Sequence, residues 1–294
     1  MTADSKNRVI LEGAVHVAKG TSADAVILAA ALTDEKRFLR DSLEPNVRVI
    51  SAAGSTAKRS AVEDGEMLAL PEVKLRRRGR AKVALLEGLA AGLLMPGQRV
   101  VVISGNAVNG ECELDTVAVI ELDDNEDYLG SQEDAPLSIL REVSDPATFD
   151  AVLGLCVELG HEGKEGKKVG VLVTLGDADE VLARSHQIVL NPFEGHPEEE
   201  RCVLYPAARR ALREFSGMDG SFVVRSDGVI VSAGRYLQEL APEHLVPSGL
   251  GARHRAAAGI TGCTRCIAFA VSETTGDTRV FGGGRLLMTI ERSD

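Results

Sequence analysis

Ten residues concentrate the chemistry that this sequence could do: Gly249-Leu250-Gly251-Ala252-Arg253-His254-Arg255-Ala256-Ala257-Ala258, opened by Pro247 and Ser248. Gly249 and Gly251 allow backbone conformations and close approaches that a Cβ would block. The alanine run after Arg255 is a strong helix former, which puts both arginines at or near a helix N-terminus. Free N–H groups and the helix dipole favour an anion there, and guanidinium forks match phosphate oxygens. Such a stretch fits a polyphosphate clamp. It also fits a surface loop whose arginines pair with the chain's many carboxylates.

Two further clusters sit where the pattern places strand ends. Met218-Asp219-Gly220-Ser221 follows a helical stretch and opens a strand. An acid at such a point can hold a divalent metal through hard oxygen ligands or accept a proton from an attacking hydroxyl. Asp-Gly is also a common turn dipeptide. Ser272-Glu273-Thr274-Thr275-Gly276 closes another strand with a hydroxyl and a carboxylate side by side.

The elements that must carry these clusters follow from alternation of apolar runs and helical stretches. Helices are predicted over 8–20 and 81–93, with Ala25–Ala29, Val47–Ser51 and Arg99–Ile103 as short apolar strands between and after them. Apolar runs bounded by turn residues and alternating with helices suggest parallel strands in an α/β layer, and Thr116–Glu121 reads as its closing strand. Arg76-Arg77-Arg78-Gly79-Arg80 is a basic cluster suited to an anion or to a solvated face. From Leu122 the composition turns acidic and turn-rich (Asp123-Asp124-Asn125-Glu126-Asp127), which marks a linker. The division expected is 1–125, a linker over 126–145, and a second domain over 146–294.

That second domain is predicted to begin with a helix from Pro146 to Leu159, capped by Ser144. A strand through Val169–Thr174, a short helix to Ser185, a helix over Tyr205–Phe215 and a hairpin around Ser226-Asp227-Gly228 follow. After the arginine loop and its helix come strands at Cys266–Ser272, Thr278–Phe281 and Arg285–Ile290. The whole is a mixed sheet flanked by helices.

Composition bounds the function. The 294 residues suit two domains. With no Trp and three Tyr, the cores must be aliphatic. A net charge of −11 argues against a field for nucleic acid or membrane surfaces. Met1–Asn7 is polar, and no apolar run reaches the roughly 20 residues of a spanning helix, so a cytoplasmic location is expected. Five cysteines do not suggest a disulfide framework. Cys263-Thr264-Arg265-Cys266 lacks a second pair to complete a zinc site.

Taken together, Asp219-Gly220-Ser221, Gly251-Ala252-Arg253-His254-Arg255 and Ser272-Glu273-Thr274-Thr275-Gly276 resemble the diadenylate cyclase domain, the nucleotide-binding domain of the DNA-integrity scanning protein. That family carries Asp-Gly-Ala, a Gly-Thr-Arg-His-Arg loop and Ser-Glu-x-x-Gly in this order. Lys168–Val173, Gly176-Asp177, Ser185-His186-Gln187 and Asn191-Pro192-Phe193 support the likeness, which covers 146–294. Ser221 stands where the family has Ala and adds a hydroxyl. Ala252 stands where it has Thr and removes one. The N-terminal pattern, best at Gly97–Gly105, is similar to the C-terminal domain of pyruvate kinase, a likeness of fold that transfers no function.

The resemblance implies that two ATP molecules condense into cyclic di-AMP with release of two pyrophosphates, each ribose 3′-hydroxyl attacking the other's α-phosphate. Two protomers must then face each other across a two-fold axis. It implies that Asp219 activates the hydroxyl directly or through Mg²⁺ or Mn²⁺, and that Arg253 and Arg255 hold phosphates. His254 would contact phosphate or position the loop, with Gly251 and Ala252 lining it. Ser272 and Glu273 would hold the triphosphate and metal, and Gly220 and Ser221 would touch ribose. Leu237 would pack on adenine or serve the core. Two other readings are a nucleotide sensor that has lost activity and a DNA-binding scanning protein, the latter opposed by the charge.

Overall fold

The computed structural model describes residues 3–30, 32–54, 67–71, 73, 75–108, 111–122, 137–242 and 250–293. Most of the acidic linker, and Pro247, Ser248 and Gly249 of the arginine loop, lie outside them. The chain forms two compact units, Met1–Tyr128 and Leu129–Asp294.

The first unit runs α1 (Ala3–Gly20), β1 (Ala25–Leu28), α2 (Thr33–Ser42), β2 (Arg48–Gly54), β3 (Met67–Leu70), α3 (Arg77–Ala90), β4 (Arg99–Val108) and β5 (Glu111–Glu121). Its sheet has the order β3-β2-β1-β4-β5. The first four strands are parallel and β5 returns antiparallel to β4. Every residue of the central strand β1 is buried, which is why Ala25–Leu28 is apolar without alternation. The basic cluster is the start of α3, with Arg76 at the cap position. Arg77 bonds to Asp115 across a 2.7 Å contact, and Arg80 donates to the carbonyl of Gly105 at 2.9 Å. Those two arginines thus serve internal partners.

The second unit runs α4 (Ile139–Glu142), α5 (Pro146–Glu162), β6 (Val171–Leu175), α6 (Ala178–Ala183), β7 (Ser185–Gln187), a 3₁₀ turn (Glu198–Arg201), α7 (Pro206–Phe215), β8 (Ser221–Val224), β9 (Ile230–Leu237), α8 (Ala252–Cys263), β10 (Ile267–Val271), β11 (Thr278–Gly282) and β12 (Arg285–Ile290). The sheet order is β12-β11-β10-β6-β8-β9-β7. β6 and β8 are parallel, and the other pairs are antiparallel. The fold class is therefore mixed α/β in two units.

One cap differs from expectation. Asp145, not Ser144, caps α5: its carboxylate accepts from Thr148 N at 3.0 Å and from the Thr148 hydroxyl at 2.8 Å. Asp145 directly precedes Pro146, so the proline falls at the first helical position, where its missing N–H costs nothing. The helix expected to run to Ser185 ends at Ala183, and Ser185 starts the edge strand β7.

Alternation along β10 explains how the sheet is covered. Phe269 meets Phe149 of α5, ring centroids 5.7 Å apart. Ala268 and Ala270 point to the opposite face and cluster with Ala256, Ala257, Ala258 and Ile260 of α8. Small residues on both surfaces bring α8 close to the sheet, which holds its first turn beside the ends of β10 and β8.

Candidate active site

Asp219 is delivered by a glycine that no other residue can replace without strain. Gly220 has φ +97°, and a Cβ there would lie 2.6 Å from backbone atoms of Gly234 and Arg235 in β9. The Asp219 carboxylate, on the residue before that turn, is exposed and has no hydrogen bond or ion pair among the described residues. Ser221 is buried, and its hydroxyl donates to the Arg235 carbonyl at 3.0 Å. The hydroxyl that distinguishes this chain thus spends its proton on the sheet. Leu237 is buried in the α8 cluster.

The arginine loop becomes the start of α8. Gly251 occupies the cap position with extended backbone and offers no side-chain acceptor to the first N–H groups. Arg253 reaches Glu273 Oε2 at 3.3 Å, with both side chains well exposed. Such a pair contributes at most about 1 kcal/mol, so a phosphate can replace the carboxylate at little cost.

His254, only 6% exposed, sits behind Arg253. Its Nε2 is 3.3 Å from Nη1 of Arg279, and its Nδ1 is buried without a partner among the described residues. Burial first, then the charges of Arg279 and Arg253, lower its pKa to about 4. The ring is neutral at physiological pH. Arg255 turns the other way. Its Nε donates to the Ala241 carbonyl at 3.1 Å while Ala241 N donates to the Arg255 carbonyl at 3.0 Å.

The third cluster forms the turn between β10 and β11. Gly276 N donates to the Ser272 carbonyl at 2.8 Å, and Thr275 N to the Ser272 hydroxyl at 3.2 Å. From outside the turn, Lys168 Nζ donates to the Thr274 carbonyl at 2.6 Å.

These pieces enclose a cavity of about 780 Å³, a size that suits a small-molecule ligand. Asp219, Gly220 and Ser221 line it together with Leu237, Gly251, Ala252, Arg253, His254, Ser272 and Glu273. Arg255 is not part of that lining. Arg235, Tyr236 and Arg279 are, and the sequence pattern singled out none of the three. For Arg279 the signal was weak, since a charged residue on a strand reads as solvent-facing. Arg235 is occupied by Ser185 and by the carbonyls of Leu182 and Ser185. Gly170 was also missed. A Cβ on it would lie 2.8 Å from Cζ of Arg253.

Asp219, Glu273 and Ser272 offer the hard oxygen donors that Mg²⁺ or Mn²⁺ prefers. No group of three or more His, Cys, Asp or Glu poised to hold a metal occurs among the described residues. The donor set fits a cation that completes its shell with phosphate oxygens and water, as Mg²⁺ commonly does.

Comparison with known proteins agrees with the likeness of the three motifs. The family described as DisA bacterial checkpoint controller nucleotide-binding matches residues 158–286, and the probable sensor domain DacZ_P matches residues 6–127. A diadenylate cyclase of Methanocaldococcus jannaschii is 30% identical over 247 residues, covering 82% of this chain and 77% of that protein. One of Haloferax volcanii is 40% identical over 148 residues, covering 50% of this chain and 54% of that protein. A hypothetical membrane spanning protein from Bacillus cereus aligns in structure at TM-score 0.39 and 20% identity, over 52% of this chain and 67% of that one. No helix among the described residues is long and apolar enough to cross a membrane. With its cavity built from the three motifs and a relative matched over most of both chains, the protein belongs to the diadenylate cyclase family.

Proposed function

We propose that this protein condenses two ATP molecules into cyclic di-AMP and two pyrophosphates. The observation that carries the reading is the convergence of an unpartnered Asp219 carboxylate, the Arg253 guanidinium and the Ser272-Glu273 turn on one cavity. The cavity suits one nucleotide, whereas the product joins two. Two copies therefore face each other about a two-fold axis, each presenting a bound ATP to the other.

In this reading the ribose 3′-oxygen of one ATP attacks the α-phosphorus of the other. The bond to the bridging oxygen breaks and pyrophosphate leaves. Asp219 takes the hydroxyl proton or would hold the cation, with Gly220 and Ser221 against the ribose and Leu237 beside the adenine. Arg253 and the N-terminus of α8, at Gly251 and Ala252, bind phosphate oxygens and stabilise charge building on the leaving group. Arg255 holds that helix start through Ala241. His254, being neutral, positions the loop and does not act as a cation. Ser272 and Glu273 bind the triphosphate side. Asp219 or Glu273 would hold a divalent cation, which would screen the charge of the phosphates.

Incubating purified protein with ATP and Mn²⁺ or Mg²⁺, then looking for cyclic di-AMP by mass spectrometry, tests the reading. Product is expected with the metal and none with EDTA. ATP binding without product under any divalent metal would leave a nucleotide sensor instead.

A further inference from the structure

Arg279 belongs to none of the three motifs, yet it joins two of them. Its side chain is only 14% exposed. One nitrogen, Nη2, donates to Asp277 Oδ2 at 3.2 Å, and the other, Nη1, faces His254 Nε2 at 3.3 Å. Asp277 is itself fixed to the turn, accepting from the Thr275 hydroxyl at 2.7 Å and from Arg292 N at 3.1 Å. A guanidinium has only donors. His254 Nε2 must therefore present its lone pair, and the ring proton lies on Nδ1.

We propose that Arg279 is a positioning residue of the nucleotide site: its fork ties the His254 ring, protonated on Nδ1, to Asp277, and so fixes the helix start that carries Arg253 against the turn that carries Glu273. The positioning role rests on the cyclase reading, whereas the ring's tautomer is independent of it. The fork is the feature that matters. A lysine keeps the charge near Asp277 but, with one ammonium, cannot meet both acceptors in this geometry. Without the fork, the polar side-chain contact left between helix start and turn among the described residues is the exposed Arg253–Glu273 pair.

Imidazole nitrogen spectra of the full-length ¹⁵N-labelled protein, with His254→Gln used to assign the signals, read the tautomer directly. At pH 7 the wild type should show His254 unprotonated on Nε2 and protonated on Nδ1. His161 offers a comparison ring with the same arrangement of partners, Nδ1 facing the Val157 carbonyl and Nε2 facing Ser293 N. In Arg279→Ala and Arg279→Lys the proton should move to Nε2 or exchange between both nitrogens. ATP affinity measured with Mn²⁺ should fall about tenfold, the scale of one lost charge-assisted hydrogen bond. If Arg279→Ala does not fold, Arg279→Lys decides. A wild-type ring protonated on Nε2, an unchanged tautomer in the folded variants, or a released ring with wild-type ATP affinity would each overturn the proposal. A wild type that binds no ATP, with the tautomer as stated, overturns the cyclase reading and the positioning role with it. Cyclic di-AMP made by a protein whose ring carries Nε2–H overturns the positioning role alone.

Discussion

Gly170 is the seat of Arg253: a single carbon added at position 170 would lie 2.8 Å from the guanidinium carbon and 3.1 Å from Cβ of Glu273. The nearest obstacle is the far end of a flexible side chain, so Gly170→Ala should fold. The displaced guanidinium should weaken ATP binding and cyclisation. In an Arg253→Ala background the same substitution should have no further effect on ATP affinity. A double-mutant cycle on binding checks this, and full additivity would show that Gly170 does not act through Arg253.

Asp219 should be separable from stability altogether. Its side chain is exposed and unpaired among the described residues, so Asp219→Asn should leave the melting temperature near wild type. Loss of a proton acceptor or metal ligand should lower product formation by roughly 10² to 10⁴-fold. Turnover near wild type would remove Asp219 from the chemistry.

The neighbouring glycine should behave in the opposite way. At Gly220 a side chain meets both a positive φ and the backbone of β9. Gly220→Ala should destabilise the protein by about 1 to 3 kcal/mol, measured by denaturant unfolding, and lose activity as a consequence.

Arg253 and Arg255 should lose cyclisation for different reasons. Arg253→Ala removes a cavity-lining cation and should leave stability almost unchanged, because its pair with Glu273 is exposed. Arg255→Ala breaks a bond to the Ala241 carbonyl and should also cost roughly 1 kcal/mol of stability. Thermal melts run beside product assays distinguish the two.

His254 gives a pH signature. Its folded-state pKa of about 4 lies below the usual histidine value of about 6.5. The unfolded chain therefore binds the proton first as pH falls, so this residue's contribution is present above about pH 6.5 and is lost between there and about pH 4. The melting temperature of His254→Gln should fall less steeply over that interval than that of the wild type. Parallel curves would mean that the ring is not held neutral.

Much of the cavity was legible because its parts are local. Asp219-Gly220 at a strand start, the glycine–arginine helix start and the Ser272–Gly276 turn each carry their own backbone logic, and apolar runs placed the strands that bear them. What stayed hidden depends on contacts distant in sequence. Nothing near Gly170 says that a guanidinium from position 253 will lie on it. Arg279 reads as an outward strand residue until Asp277 and His254 close around it. Ser144 and Asp145 are equally good caps in isolation, and the choice follows from where Pro146 enters the first turn. The antiparallel return of β5 and the edge position of β7 depend on sheet pairing, which a one-dimensional pattern does not specify.

The packing of α8 has a consequence for how this site can change over evolutionary time. Ala256, Ala257 and Ala258 are buried, and a Cβ on Gly259 would lie 2.6 Å from the Glu239 carbonyl carbon. At these four positions no side chain can grow without pushing the arginines off their mark. Thr274 and Thr275 are exposed on the opposite wall, where added bulk meets solvent first. The helix is the fixed jaw of the site and the turn its adjustable one, so lineages that alter ligand preference should carry their substitutions on the turn.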